Sequence, residues 1–374
     1  MKNIPQVSIV LGTRPEAIKL APVIIALRSI KEIYTRVILT GQHSEMVYQA
    51  MSLFQIEADV DFRLMKSKQS LNYITTSILN KLDEDFSEFP PNLVLVQGDT
   101  STAFSASLAA FYKKITIGHV EAGLRTNSIL NPFPEEVNRR LISQLSSYHF
   151  APTLLAKKNL IKSGCLGEIY VTGNTVIDSL LLVAEKAKEN NFRNINWTKK
   201  KVILVTIHRR ENWGKNLENI ANGIKVVANE NEDCIFLVLL HKNKIVRTPL
   251  KTILSNHQRI ILTEPLDYED LISIMKKCYL VLTDSGGLQE EAPTFGKPVL
   301  VLRDQTERIE AINSGTAKLI GTDTKKIVKE VNTLLLNHEE YISMSKAVNP
   351  FGDGKASERI MKVCLHHLNI KSKN

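Results

Sequence analysis

The chain has 374 residues, 43% hydrophobic and 23% charged, with a formal net charge of +9. This balance excludes a disordered or fibrous chain, and the length exceeds one ordinary core, which predicts two domains. No apolar run approaches a membrane span, and the basic excess forms no stripe interleaved with aromatics. The excess could suit nucleic acid, a membrane surface or an anionic small molecule, with nucleic acid the weaker reading; the expectation taken forward is a small-molecule partner, with no nucleic acid and no membrane.

The opening residues Met1-Lys-Asn-Ile-Pro-Gln6 lead into a strand-like run without a signal-peptide core, so a cytoplasmic location is expected. Val7 to Leu11 is apolar and ends in Gly12-Thr13-Arg14-Pro15-Glu16, and Ala17 to Ser29 follows with helical periodicity. Arg36 to Thr40 predicts a second strand, and Gly41-Gln42-His43-Ser44-Glu45 starts another helix. Leu71 to Leu82 is amphipathic. Leu93 to Gln97 predicts a third strand, closed by Gly98-Asp99-Thr100, and an alanine-rich helix follows to Tyr112. Ile115 to Val120 predicts a fourth, ending at Glu121-Ala-Gly-Leu-Arg125, and Glu135 to Leu145 reads as helical. Short apolar strands alternating with helices predict a parallel sheet covered on both faces.

This first series ends near Gly173-Asn174. A helix from about Val176 then runs into the Lys- and Asn-rich segment Lys186 to Lys201, read as an inter-domain connection. A second series follows: strand Val202 to Thr206, helix from Leu217, strands Ile235 to Leu240 and Ile260 to Leu262, and helix Tyr268 to Lys276. The strand Tyr279 to Leu282 breaks at Asp284-Ser-Gly-Gly287, and Val299 to Leu302 is the next strand. The expected domains are 1–173, 174–355 and a terminal helix, 356–374, packing back on the first.

Chemistry-bearing residues gather just after strands, where open α/β sheets bind ligands. The first half offers Arg14, Lys19, Asp99, Glu121, Glu135, Glu136 and Arg139. The second offers His208-Arg-Arg-Glu211, His241, Ser285 to Glu291 and Arg303 to Glu310. Strand, small-residue turn and helix start around Ser285, Gly286 and Gly287 make a phosphate-binding arrangement. Glu290 and Glu291 stand a turn later, where a carboxylate can hold a ribose. If the two halves face one another, cations and the glycine turn would hold an anion opposite three carboxylates, a pattern suited to proton transfer beside a phosphorylated leaving group. Asp99 also suits a helix cap and Glu135 a first helical turn. Glu121 has no such structural task. His43, His119 and His149 read as packed histidines, while His241 is left open. Cys165, Cys234, Cys278 and Cys364 are scattered, expected to be reduced, and without metal spacing; no metal or cofactor is expected.

Seven ordered motifs carry a more specific resemblance. They are Gly12-Thr-Arg-Pro-Glu-Ala-Ile-Lys19, Gln97-Gly-Asp-Thr100, Gly118-His-Val-Glu-Ala-Gly-Leu-Arg-Thr126, Pro134-Glu-Glu-Val-Asn-Arg139, His208-Arg-Arg-Glu-Asn212, Thr283-Asp-Ser-Gly-Gly-Leu-Gln-Glu-Glu-Ala-Pro293 and Arg303-Asp-Gln-Thr-Glu-Arg308. Collinear from about Val7 to Ala356, they resemble the bacterial non-hydrolysing UDP-N-acetylglucosamine 2-epimerases. The resemblance implies an α/β, GT-B-like fold of two Rossmann-type doubly wound parallel-sheet domains facing a cleft, and a homodimer. It implies an isomerase, without cofactor, that interconverts UDP-N-acetylglucosamine and UDP-N-acetylmannosamine for surface polysaccharide supply. Asp99, Glu121 and Glu135 would be acid/base candidates, and His208 would stabilise the departing diphosphate with Arg14 and Lys19. Ser285, Gly286 and Gly287 would bind phosphate, Glu291 the ribose, and Arg139 and Arg308 the nucleotide. Gln42, His43, Lys68, Glu136 and Arg209 match an activator site of bacterial members, although Lys68 stands where some carry Arg, whose bidentate contact Lys cannot make. The family's Pro-Val-His-x-Asn-Pro is here Leu239-Leu-His-Lys-Asn-Lys244, and Ile309 stands where a proline is usual. The alternatives are a hydrolysing 2-epimerase, a GT-B glycosyltransferase and a silent nucleotide-sugar binder.

Overall fold

The computed structural model describes residues 4–41, 44–64, 69–126, 128–186, 192 and 195–371. Its contacts divide the chain into two compact units: Met1–Leu182 with Phe351–Asn374, and Val183–Pro350. The first crossing falls inside helix Thr175–Lys186.

The first unit is built on seven strands: β1 (Gln6–Leu11), β2 (Tyr34–Leu39), β3 (Val60–Asp61), β4 (Leu93–Gln97), β5 (Thr116–Val120), β6 (Tyr148–Ala151) and β7 (Glu168–Val171). They pair in parallel in the order β3-β2-β1-β4-β5-β6-β7. Val7, Ile9, Val10 and Leu11 of β1 and Val94 to Val96 of β4 are fully buried, as apolar runs covered on both faces must be. Three strands of this unit escape the sequence reading. β3 is only two residues long. β6, Tyr-His-Phe-Ala, breaks its apolar run with His149, and β7, Glu-Ile-Tyr-Val, lies at the sheet edge and is only partly buried.

The second unit holds six parallel strands: β8 (Lys201–Thr206), β9 (Cys234–Leu239), β10 (Ile260–Thr263), β11 (Leu280–Thr283), β12 (Val299–Val301) and β13 (Ala317–Leu319), ordered β10-β9-β8-β11-β12-β13. Helices Lys215–Glu230 and Thr324–Leu336 bury Ile220, Ile224, Val227, Ile327 and Val331 in the core of this unit. In both units the strand order reverses once, between β1 and β4 and between β8 and β11. At such switch points the loops leaving the strands splay apart and open a crevice for ligands.

The last helix, Ala356–His367, packs on helix Arg14–Arg28 of the first unit. Asp178 caps it, accepting from the Ala356 and Ser357 amides at 3.2 and 2.8 Å and from the Ser357 hydroxyl at 2.6 Å. Such a cap satisfies donors that a helix start otherwise leaves open. Among the described residues, no helix is long and apolar enough to cross a membrane, and no group of three His, Cys, Asp or Glu side chains could hold a metal ion. All four cysteines are free thiols, Cys165 half-buried and the others buried.

Candidate active site

In the first unit the site is assembled from the loops after β1, β4 and β5. Glu121 directly follows β5 and adopts a left-handed backbone, φ 62°. That conformation costs a non-glycine residue about 1–2 kcal/mol. It turns the carboxylate to three donors. The Lys19 ammonium lies 2.5 Å away, Asn174 Nδ2 donates at 3.3 Å, and Gln97 Nε2 also donates to it. Gln97 stands opposite Val120 in the β4–β5 register, so strand pairing brings its amide beside the Glu121 corner. Gly123 completes the turn at φ 95°, where a Cβ would strike the Ala156 carbonyl oxygen at 2.3 Å.

Asp99 sits after Gly98 and pairs with Arg139 at 2.5 Å. Burial pushes its carboxyl up; Arg139 and Lys19 pull it back, and the charges of Glu121 and Glu135 raise it again. The same interactions show that Asp99, Glu121, Glu135, Lys19 and Arg139 form one electrostatic cluster. Glu135 opens helix Glu135–Leu145, and its buried Oε2 has no hydrogen-bond partner among the described residues. Asn138 Nδ2 donates to the Asp99 carbonyl at 2.9 Å, and His119 Nε2 lies 2.7 Å from the Gly98 carbonyl, so the Asp99 loop is held from two sides.

Glu16 joins two of these loops. Fully buried, it accepts from the Gly12 and Thr13 amides at 3.0 and 2.7 Å and from the Thr13 hydroxyl at 2.8 Å. Its other oxygen takes the Thr100 hydroxyl at 2.6 Å. Burial pushes its carboxyl up despite these bonds. The helix carrying Arg14 and Lys19 is thereby tied to the loop carrying Asp99.

The second unit organises a separate group of residues around Asp284. This carboxylate is fully buried and accepts from the His208 and Arg209 amides at 3.0 and 2.9 Å and from Asn212 Nδ2 at 3.0 Å. His208 Nδ1 lies 3.0 Å from Asp284 Oδ1. Burial alone would raise the Asp284 carboxyl, but the His208 side chain and the two amides hold it below the usual carboxylate range. The His208 ring stacks against His241, 6.1 Å between centroids. Ser285 heads the short helix Gly286–Glu291 without a side-chain cap bond to it. Glu291 accepts from the Tyr268 hydroxyl at 3.1 Å, while Glu290 takes Arg308 Nε at 2.7 Å.

The remaining residues fall as follows. Arg14 is the half-buried first residue of its helix. Glu136, considered for an activator site, is fully buried and accepts from the Thr126 amide at 3.0 Å and Arg140 Nε at 2.7 Å. It thus braces the loop that follows Arg125. Arg209 lies 3.4 Å from Glu307. Gln42, His43 and Lys68 lie outside the described residues.

The UDP-N-acetylglucosamine 2-epimerase family model matches residues 25–365. The chain belongs to the UDP-N-acetylglucosamine 2-epimerase family. It is 45% identical over 382 residues to the UDP-N-acetylglucosamine 2-epimerase of Campylobacter jejuni, covering 99% of this chain and 100% of that one. Its fold matches the epimerase of Neisseria meningitidis in a crystal structure bound to UDP-GlcNAc, with TM-score 0.86, 47% identity and coverage of 96% and 100% of the two chains. The epimerase of Methanocaldococcus jannaschii, in complex with UDP-GlcNAc and UDP, matches with TM-score 0.77, 34% identity and coverage of 96% and 99%. The expected α/β fold of two parallel-sheet domains, matching these GT-B-like epimerases, is therefore present.

Within this epimerase-family chain, sequence reasoning passed over Gln97, Asn174, Asp284 and Glu16 as site residues. Three of them stand in the quoted motifs. Each is a polar residue at a strand end or helix start, yet fully or almost fully buried, and a buried polar group demands a partner. Burial, the signal that singles them out, is not visible in the chain.

Proposed function

We propose that this epimerase-family protein interconverts UDP-N-acetylglucosamine and UDP-N-acetylmannosamine without hydrolysis, by eliminating and re-adding UDP. A carboxylate removes the C2 proton, the C1–O bond breaks with its electron pair leaving on UDP, and a C1–C2 double bond forms, giving 2-acetamidoglucal. In the return step a UDP oxygen adds to C1 and C2 receives a proton on the opposite face. Atoms and electrons balance without a redox partner.

The observation that carries this reading is the carboxylate cluster of the first unit. Glu121 is gripped by Lys19, Gln97 and Asn174, and the charges of Glu121 and Glu135 raise the neighbouring Asp99 carboxyl. Proton removal and delivery at one carbon need at least two such groups in different ionisation states. In this reading Asp99, Glu121 and Glu135 share the acid and base roles. His208, with Arg14 and Lys19, stabilises the negative charge that gathers on the departing diphosphate. Ser285, Gly286 and Gly287 hold phosphate, Glu291 the ribose, and Arg139 and Arg308 the nucleotide. A homodimer located in the cytoplasm and supplying a surface polysaccharide precursor completes the proposal, with Gln42, His43, Lys68, Glu136 and Arg209 as its activator site.

The test is purified protein with UDP-N-acetylglucosamine in deuterated water, followed by proton NMR. Solvent deuterium at C2 of intact UDP-sugar is expected. Release of free N-acetylmannosamine and UDP would replace this reading by hydrolysis, and turnover only with an added acceptor would replace it by glycosyl transfer.

A further inference from the structure

The fully buried carboxylate of Asp284 does more than hold a turn. Two backbone amides, one side-chain amide and one imidazole nitrogen converge on its two oxygens, and of these only His208 Nδ1 is a titratable partner. Asp284 follows β11 and precedes the Ser285–Gly287 turn, while His208 follows β8, its neighbour in the sheet. One residue thus anchors the turn and the histidine together, at the switch point of the second unit.

We propose that Asp284 is the positioning residue of His208, fixing its imidazole in the Nδ1–H tautomer and offsetting the ring's charge when Nε2 engages an anionic diphosphate. This rests on the reading that His208 faces the leaving UDP. The chemistry follows from donor and acceptor capacity. A buried carboxylate accepts only, so the nitrogen facing it must carry the proton, and the lone pair of the neutral ring is then on Nε2. Nε2 can take up a proton, becoming a donor to a diphosphate oxygen, while the resulting imidazolium stays paired with Asp284. The side chain of His208 is 39% exposed while that of Asp284 is fully buried, so the ring is open to solvent on one side and anchored on the other. Asp284→Asn leaves one acceptor oxygen where two now serve four donors, and the imidazole loses its assured partner.

The test combines two measurements on the full-length protein. Long-range proton–nitrogen NMR of histidine-labelled protein, with His208 assigned through His208→Asn, reads the tautomer without substrate. The Nδ1–H form is expected in wild type, with a mixed or Nε2–H form in Asp284→Asn. Asn212→Ala removes a different donor from the same carboxylate and is expected to keep the wild-type tautomer. In kinetics, Asp284→Asn is expected to lower kcat about 10- to 100-fold, but to add less than about 2-fold in the His208→Asn background, because both changes remove the same interaction. An Nε2–H ring in wild type, or full additivity of the two substitutions, overturns the proposal. If Asp284→Asn fails to fold, the wild-type and Asn212→Ala tautomers still decide it. If the wild type turns over no UDP-sugar, the epimerase reading fails while the tautomer result stands. In that case a UDP-induced shift of the His208 resonance that persists undiminished in Asp284→Asn removes the link to diphosphate.

Discussion

Asn174 donates its side-chain amide to Glu121 at 3.3 Å across 53 positions of sequence, while its backbone N–H bonds the Phe351 carbonyl at 2.6 Å. The segment where the chain nears its crossing to the second unit is thereby wired to a candidate catalytic carboxylate. Asn174 Oδ1 also accepts from the Val176 amide at 3.1 Å, opening the next helix. Asn174→Asp keeps that acceptor but sets a second carboxylate against Glu121, whereas Asn174→Ala removes both contacts. If the contact to Glu121 matters most, Asn174→Asp loses the larger share of turnover, by about 100-fold against about 10-fold for Ala. Steady-state kinetics checks the order; the reverse order would assign Asn174 to helix capping alone.

Glu121→Gln is expected to lower turnover at least ~100-fold, the usual scale for a lost acid or base group. The amide is nearly isosteric, so the folded structure should persist by circular dichroism. Near-wild-type turnover would remove Glu121 from the acid/base set.

Arg139 is among the influences that pull the Asp99 carboxyl down against burial. Removing it by Arg139→Ala leaves burial and the neighbouring carboxylates unopposed on that side, which favours the protonated form. The acid limb of the kcat/KM profile, if set by ionisation of Asp99, should therefore move to higher pH. A limb that stays in place would show that another group sets it.

His119 and His149 are paired neighbours on β5 and β6 and are fully buried. Burial is the largest influence on both and pushes His119 down to about 3 and His149 down to about 4. Their folded values lie below that of a free histidine, so the unfolded chain binds more protons as pH falls through about 6.5. Stability is fully present above that pH and is lost progressively below it, by about 2 kcal/mol per histidine between pH 7 and pH 4.5. Urea unfolding at both pH values measures the slope. His149→Phe should flatten it by roughly half, and an unchanged slope would place the proton uptake elsewhere.

Glu16→Ala strips the acceptor from two backbone amides and two hydroxyls in a buried setting. Each orphaned buried donor costs about 1–3 kcal/mol when water cannot replace its partner, and partial relaxation lowers the total. A loss of about 3 kcal/mol in urea unfolding is expected. A loss below about 1 kcal/mol would show that water re-satisfies these groups.

The chain by itself determined the two α/β halves, because a buried parallel strand must be an apolar run and these runs alternate with helical periodicity from Val7 onward. It also marked the polar residues that follow the strands, Asp99, Glu121, His208 and Ser285 among them, since those loops are where open sheets can place ligand-facing groups. Edge and mixed-polarity strands such as Glu168–Val171 stayed hidden, because partial burial leaves no apolar signature. Only the tertiary structure decided which buried groups hold which: Gln97, Lys19 and Asn174 on Glu121, Glu16 between two loops, and Asp284 under His208. Those pairings depend on strand register and loop direction. A polar side chain taken out of water must bond to whatever the fold sets within about 3 Å, and sequence spacing carries no record of that distance.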